Sequence, residues 1–134
     1  MEKKKLLLTG TSGFVGYAFL KYALSKKFDV IDILRYKNKK NLKIKKLKKK
    51  YKKKYKTIFF SNNRQLKKEI AKIKVDCFIN FATLYKNNHK HEDIFGFIES
   101  NILFPTLIYD LLHKRTNIII NFGSMMQHSD GNNY

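Results

Sequence analysis

The strongest constraint on this chain is a glycine-rich turn, Thr9-Gly-Thr-Ser-Gly-Phe-Val-Gly16. The apolar run at residues 4–9 predicts a buried strand before it, and apolar spacing over residues 14–25 predicts a helix after it. In that setting the glycines permit a tight turn, let backbone N–H groups approach a pyrophosphate and let the helix pack closely on the strand. The helix N-terminus adds partial positive charge. The turn therefore predicts a dinucleotide site formed by Gly10, Thr11, Ser12, Gly13, Phe14, Val15 and Gly16.

Apolar runs and helical patterns alternate along the rest of the chain. Further strands are predicted at residues 28–34, 57–60, 77–82 and 117–122, and further helices at residues 66–73 and 92–113. The strand at residues 77–82 is apolar on both faces, as in a parallel sheet covered by helices on each side. Right-handed crossovers then give one α/β domain over residues 1–134, a Rossmann-type doubly wound sheet of five strands in the order 3-2-1-4-5.

The predicted helix at residues 92–113 is the longest in the chain. Pro105 should bend it or restart it, because proline lacks the N–H of a helical hydrogen bond. The residues predicted to form its buried side are Ile94, Phe97, Ile98, Asn101, Ile102, Leu107, Ile108, Leu111 and Leu112.

Size and composition indicate one soluble domain. A chain of 134 residues with 43% hydrophobic content can bury a core. It has no uninterrupted apolar window of about 18 residues, so we expect no membrane partner. The apolar run after Met1 is cut by the glycine turn without a cleavage site, which argues against a signal peptide and favours the cytoplasm. Cys77 has no second cysteine to pair with and is predicted to lie in the core.

Positive charge is concentrated in a lysine-rich segment, residues 37–56, which holds thirteen lysines and no acid in a chain of net charge +19. Within it Ile44, Leu47, Tyr51 and Tyr55 recur at helical spacing, which is typical of a basic amphipathic helix docked by a narrow apolar stripe; a frayed low-complexity segment is the alternative. The residue types that dominate here share A/T-rich codons, so we attribute the segment to base composition and predict no specific nucleic-acid partner. A DNA-binding protein would instead show steeply salt-dependent binding that is lost when the segment is deleted.

The turn from Thr9 to Gly16 resembles the Thr-Gly-x-x-Gly-Phe-[IV]-Gly signature of extended short-chain dehydrogenases/reductases, the NAD(P)-dependent nucleotide-sugar epimerase/dehydratase family. Asp76-Cys-Phe-Ile-Asn-Phe-Ala82 is similar to the family's fourth strand, whose backbone lines the cofactor. Asn101 resembles the asparagine of the family's long fourth helix, and Ile118-Ile-Ile-Asn-Phe-Gly-Ser124 resembles the fifth strand with its catalytic serine or threonine. The resemblance adds Phe81, Ala82 and Asn101 to the predicted cofactor residues.

The end of the second predicted strand distinguishes the two cofactors. An acid there binds the adenine ribose of NAD, whereas an arginine pairs with the extra phosphate of NADP. Arg35 lies there, 19 residues beyond Gly16, while Asp32 comes too early in the strand. We therefore favour NADP over NAD; a solvated cation is the alternative for Arg35. The stretch 61–63 stands where the family often has an aspartate near the adenine, so that contact stays open.

The resemblance implies hydride transfer between the nicotinamide and a sugar carbon, with Ser124 as the catalytic serine that binds the reacting oxygen. The acid/base is a tyrosine in a Tyr-x-x-x-Lys pair, whose lysine lowers its pKa. The pairs Tyr17–Lys21 and Tyr36–Lys40 have this spacing, but both precede the strand that they should follow. The loop at residues 123–134 contains no such pair, so we expect a truncated enzyme, the cofactor-binding part of a longer protein, without turnover of its own.

Sequence after the predicted fifth strand bears on the reaction. Dehydratases of the family carry an Asp-Glu pair there, and Met125-Met126 replaces it, which favours an epimerase or a reductase. Residues 123–128 are similar to CDP-paratose or abequose synthases. The family implies a nucleotide-sugar substrate and a homodimer for the full-length protein.

A non-catalytic NAD(P)-binding sensor or interaction module is the alternative to an enzyme, and the coding sequence beyond Tyr134 would separate the two. His89 and His91 lie in a polar loop without further residues at metal-ligand spacing, so no metal is predicted.

Overall fold

The strands form the predicted sheet. The computed structural model describes residues 3–26 and 28–122. Its strands are β1 (Lys5–Thr9), β2 (Asp29–Arg35), β3 (Tyr55–Phe60), β4 (Cys77–Asn80) and β5 (Ile118–Asn121). Neighbouring strands are parallel and run in the order β3-β2-β1-β4-β5. The doubly wound order expected of a Rossmann-type fold is confirmed.

Helices connect the strands. They are α1 (Phe14–Ser25), α2 (Leu42–Lys50), α3 (Asn63–Ile70), α4 (Ile94–Ile98) and α5 (Phe104–Leu112), with 3-10 turns at Tyr36–Lys40 and His91–Asp93 and a π-helical turn at Glu99–Leu103. The helix α1 has the predicted bounds. The helix α3 starts earlier than predicted because Asn62 caps it, its side-chain oxygen accepting from the Gln65 N–H at 2.9 Å.

Two apolar layers hold the sheet between the helices. Side chains alternate along β1, so Leu6 and Leu8 face one layer and Leu7 faces the other. The first layer packs under α1 and α2 through Leu20, Leu24, Ile44 and Leu47, and the second packs under α3 and α5 through Leu66, Ile70, Ile108 and Leu112. Since all strands are parallel, their carboxyl ends meet at one edge, where the glycine turn leaves β1.

The lysine-rich segment folds into a helix docked by a narrow apolar stripe. Asn41 caps α2, its side-chain oxygen accepting from the Lys43 N–H at 3.0 Å and the Ile44 N–H at 3.3 Å. Ile44 and Leu47 are buried, as expected for the apolar stripe of a basic amphipathic helix. Tyr55 does not continue this helix: the helix ends at Lys50, and Tyr55 is a buried residue of β3.

The long helix His91–Leu112 is irregular just before Pro105 and regular after it. A π-helical turn precedes the proline, which lacks an N–H and whose ring clashes with the carbonyl four residues earlier in a regular helix. The predicted buried side is wrong for the first half, where Ile98 and Ile102 are 48% and 60% exposed. Apolar periodicity identifies an apolar helix face without showing what packs against it. In this helix the first buried side chain is that of Phe104.

This helix also meets the length and composition of a membrane span, with a mean hydropathy of 1.2. One such helix is weak evidence for a membrane span, and 17% of its apolar window is buried in this structure. In the fold described here, Ile108 and Leu112 are fully buried against the sheet.

Candidate functional site

The glycine turn forms an uncapped helix N-terminus at the carboxyl end of β1. Gly10 has a φ of +72°, and a Cβ there would collide with the Phe81 carbonyl group. The Gly13 N–H donates to the Gly10 carbonyl at 3.0 Å, and a Cβ on Gly16 would collide with the same carbonyl. Among the described residues no side chain caps α1, so the N–H groups of its first turn are available to bind an anion.

A buried polar cluster supports the turn from below. The Thr11 hydroxyl and the Tyr55 hydroxyl both donate to one oxygen of Asp32, each at 2.6 Å. The other Asp32 oxygen is buried without a hydrogen-bond partner in the part of the chain that the structure describes. Burial raises the pKa of Asp32 to about 6, although both hydrogen bonds lower it. Burial, and then the nearby Asp32 charge, raises the pKa of Tyr55 as well.

A cleft of about 430 Å³ opens above the turn. Phe14, at the start of α1, is 92% exposed to solvent and is an apolar residue of the cleft lining. Thr11 is fully buried beneath the turn and Asn101 stands behind the opposite wall, so neither side chain lines the cleft. The predicted cofactor residues that do line it are Gly10, Ser12, Gly13, Phe14, Val15, Gly16, Arg35, Phe81 and Ala82.

The opposite wall is the chain that follows β4, and Asn101 holds it in place. The Asn101 side-chain oxygen accepts from the Leu84 N–H at 2.7 Å, and its amide nitrogen donates to the Leu84 carbonyl at 2.9 Å. Thr83 and Leu84 line the cleft themselves. In this structure Asn101 therefore acts on the cleft through the loop that it binds.

Arg35 stands at one end of the cleft, as its position at the end of β2 predicts. Its guanidinium donates to the Ser100 hydroxyl at 3.0 Å and lies 3.7 Å from a Glu99 carboxylate oxygen. Lys37 lines the same end of the cleft, so two cationic side chains lie there.

A polar ladder crosses the carboxyl ends of three strands. The Thr9 hydroxyl donates to the Asn80 side-chain oxygen at 2.5 Å, and the Asn80 amide donates to the Asn121 oxygen at 2.8 Å. These residues are register partners across β1, β4 and β5. The ladder fixes the end of β5, beyond which the predicted catalytic Ser124 lies outside the described residues.

The Tyr-x-x-x-Lys pairs Tyr17–Lys21 and Tyr36–Lys40, and a third pair at Tyr22–Lys26, all precede β5 in the chain. Tyr17 packs against the layer under α1, with the Lys21 ammonium 5.3 Å from its ring centre. Tyr36 belongs to the 3-10 turn after β2 and is half-exposed. None of these tyrosines lines the cleft.

Sequence reasoning missed several cleft residues. Lys37 and Asn38 adjoin Arg35 in sequence, a signal that could have found them. Ser100 and Phe104 come from the long helix, and nothing in the sequence shows which of its turns reaches β2. The remaining missed residues are Ile33, Leu34, Phe60, Thr83 and Leu84.

Comparison with known proteins agrees with this architecture. The sequence matches the NAD-dependent epimerase/dehydratase family over residues 6–132. A parallel sheet with a glycine turn at its carboxyl edge defines a dinucleotide-binding fold. The chain belongs to the NAD-dependent epimerase/dehydratase family. No curated protein matches the sequence significantly.

Solved structures share the fold at low sequence identity. A short-chain dehydrogenase/reductase from Burkholderia multivorans with bound NADP superposes with a TM-score of 0.83 at 16% identity, over 99% of this chain and 64% of its own. A short-chain dehydrogenase from Streptomyces avermitilis gives a TM-score of 0.77 at 17% identity, over 92% of this chain and 50% of its own. UDP-glucose 4-epimerase from Bifidobacterium longum, in complex with NAD+ and UDP, gives 0.75 at 20%, over 91% and 37%. This chain thus spans about half the length of these structures.

Proposed function

We propose that the chain binds NADP, in preference to NAD, in the cleft above the glycine turn. The observation that carries the proposal is the uncapped N-terminus of α1 at this turn, in a chain of the NAD-dependent epimerase/dehydratase family. Gly10 and Gly16 leave open the space that a Cβ would fill, and the backbone of Phe81 and Ala82 forms the facing wall. These residues fit a dinucleotide, with the pyrophosphate at the helix N-terminus.

Arg35 supports the preference for NADP. Its guanidinium lies at the end of β2, where a Rossmann fold holds the adenine ribose, and no acid of the described chain takes the NAD-type position there. Asp32 is buried under the turn and is bound by Thr11 and Tyr55, so its carboxylate does not reach the cleft.

For the protein in which this domain functions, we propose hydride transfer to or from a carbon of a nucleotide sugar, by an epimerase or a reductase such as a CDP-paratose or abequose synthase. The bound nicotinamide supplies the hydride chemistry. Ser124 follows three residues after Asn121, the last member of the polar ladder, and is the proposed ligand of the reacting oxygen. Met125 and Met126 support this choice over dehydration.

The chain itself is proposed to bind without turnover, since no Tyr-x-x-x-Lys pair follows Ser124 in its sequence. We place the protein in the cytoplasm, as a homodimer without a membrane or specific nucleic-acid partner. Binding without turnover in a longer natural chain that contains these residues would favour a cofactor sensor instead.

Calorimetric titration with NADPH tests the binding proposal. The wild-type chain should bind, and Gly13→Ala should bind about tenfold more weakly, because its Cβ stands 3.3 Å from the Gly10 carbonyl and disturbs the N–H groups aimed at the phosphates. Thr106→Ala is the control, since Thr106 is an exposed residue of α5 that does not line the cleft. Absent binding, or equal weakening by both variants, would contradict the proposal.

A further inference from the structure

Arg35, the proposed phosphate ligand, is already bound by the long helix. Its side chain is 39% exposed, and Ser100 and Glu99 approach its guanidinium from the π-helical turn. Ser100 accepts one hydrogen bond at 3.0 Å, and a Glu99 carboxylate oxygen lies 3.7 Å from the other terminal nitrogen. Both terminal nitrogens of Arg35 thus face acceptors of the chain itself.

The Glu99 carboxylate has the same chemical character as the ligand that Arg35 is proposed to bind. A planar carboxylate and a tetrahedral phosphate both carry negative charge and offer oxygen acceptors to the fixed N–H donors of a guanidinium. A second cavity of about 430 Å³ adjoins the cleft here, and Arg35, Lys37 and Glu99 line it together. A phosphate arriving at this end meets two cations and one carboxylate.

Glu99 and Ser100 have different effects on the binding of an anionic ligand. The Ser100 hydroxyl can turn to donate to a phosphate oxygen, whereas a carboxylate can only accept and carries a like charge. The phosphate must therefore displace Glu99 from Arg35 or share the guanidinium with it. The 2′-hydroxyl of NAD is neutral and can donate to the carboxylate, so it meets no such opposition.

We propose that Glu99 is a specificity-determining residue that competes with the 2′-phosphate for Arg35 and limits the preference of this site for NADP. The proposal rests on the proposed function, since it assigns a role within the same cofactor site. Glu99 is the first residue of the π-helical turn that precedes α5, which begins at Phe104. The carboxylate that competes for Arg35 therefore belongs to the irregular part of the long helix. Arg35 and Glu99 are separated by 64 positions in sequence and meet only in the folded chain.

Calorimetric titration of wild-type and Glu99→Gln chains with NADPH and with NADH tests the proposal. The substitution keeps the shape of the side chain and removes its charge. We expect NADPH to bind about fivefold more tightly, the scale of one partly exposed charge pair, and NADH to bind equally well or more weakly. Glu92→Gln is the matched control, because Glu92 is an exposed glutamate earlier on the same helix that does not line either cavity. It should change neither affinity.

The same titrations in an Arg35→Gln background show whether the effect passes through Arg35. There the gain from Glu99→Gln should disappear. A gain that persists would overturn the proposal in favour of general repulsion, and weaker NADPH binding by Glu99→Gln would overturn it by making Glu99 a positioning residue. If the wild type binds both cofactors and Glu99→Gln leaves the NADPH affinity unchanged, the role of Glu99 is refuted and the proposed cofactor site is not. If the wild type binds neither cofactor, the proposed function fails and the role of Glu99 fails with it.

Discussion

Asp32 links the core to the glycine turn through a single buried carboxyl group. The Thr11 side chain extends from the turn into the core, where its hydroxyl donates a hydrogen bond to Asp32. The shape of the turn therefore depends on a residue of the neighbouring strand β2. Burial raises the pKa of Asp32 from its ordinary value of 3.8 to about 6. A raised pKa means that the folded chain holds the proton more tightly than the unfolded chain. The stability that this proton contributes is complete below about pH 4 and is lost as the pH rises through about 6.

Asp32→Asn should remove this pH dependence while keeping an oxygen to accept from Thr11 and Tyr55. We expect the variant to exceed the wild type in unfolding free energy by about 1–3 kcal/mol at pH 8, with most of that gain gone at pH 4.5. Urea unfolding at the two pH values measures the difference. Asp110→Asn, at an exposed position on α5, is the control. A gain for Asp32→Asn that is the same at both pH values would refute the role of its ionisation.

The site residues that could be predicted from sequence are those whose role follows from local order. The glycine turn and Arg35 belong to a strand–turn–helix unit and its next strand, and spacing alone places them. The bonds from Thr11 to Asp32 and from Glu99 to Arg35 could not be predicted, because they depend on side-chain direction and on the packing of distant elements.

At the scale of elements, α2 shows how little apolar surface is needed to dock a basic helix. Ile44 and Leu47 are buried, and the lysines around them are exposed. The helical spacing of these apolar residues predicted the helix. It could not predict its end, because Tyr55 continues the spacing although the chain has already entered β3.

Ile44→Ala should therefore destabilise the chain by about 2–4 kcal/mol, since it removes buried methyl groups and leaves a cavity under α2. Lys46→Ala, on the exposed side of the same helix, should change the unfolding free energy by less than about 0.5 kcal/mol. Chemical denaturation of both variants measures this. Equal effects would show that α2 is not docked as described.

At the scale of the whole molecule, the sequence predicted the sheet and its order, and the differences concern what covers it. Strand order follows from βαβ alternation and right-handed crossovers, which are local rules. Burial is not local: the apolar residues of β5 are 40–54% exposed, and the first half of the long helix is exposed in the same way. Apolar patterning identified both as core elements without showing which partner each would have.

Amide chemical-shift mapping by NMR during titration with NADP tests whether a dinucleotide binds in the cleft above the glycine turn. The largest shifts should fall on Gly10, Gly13, Arg35 and Ala82, the residues that surround the cleft. Shifts confined to residues 39–56, the part of the lysine-rich segment outside the cleft, would show that charge alone attracts the phosphates and would contradict binding in the cleft.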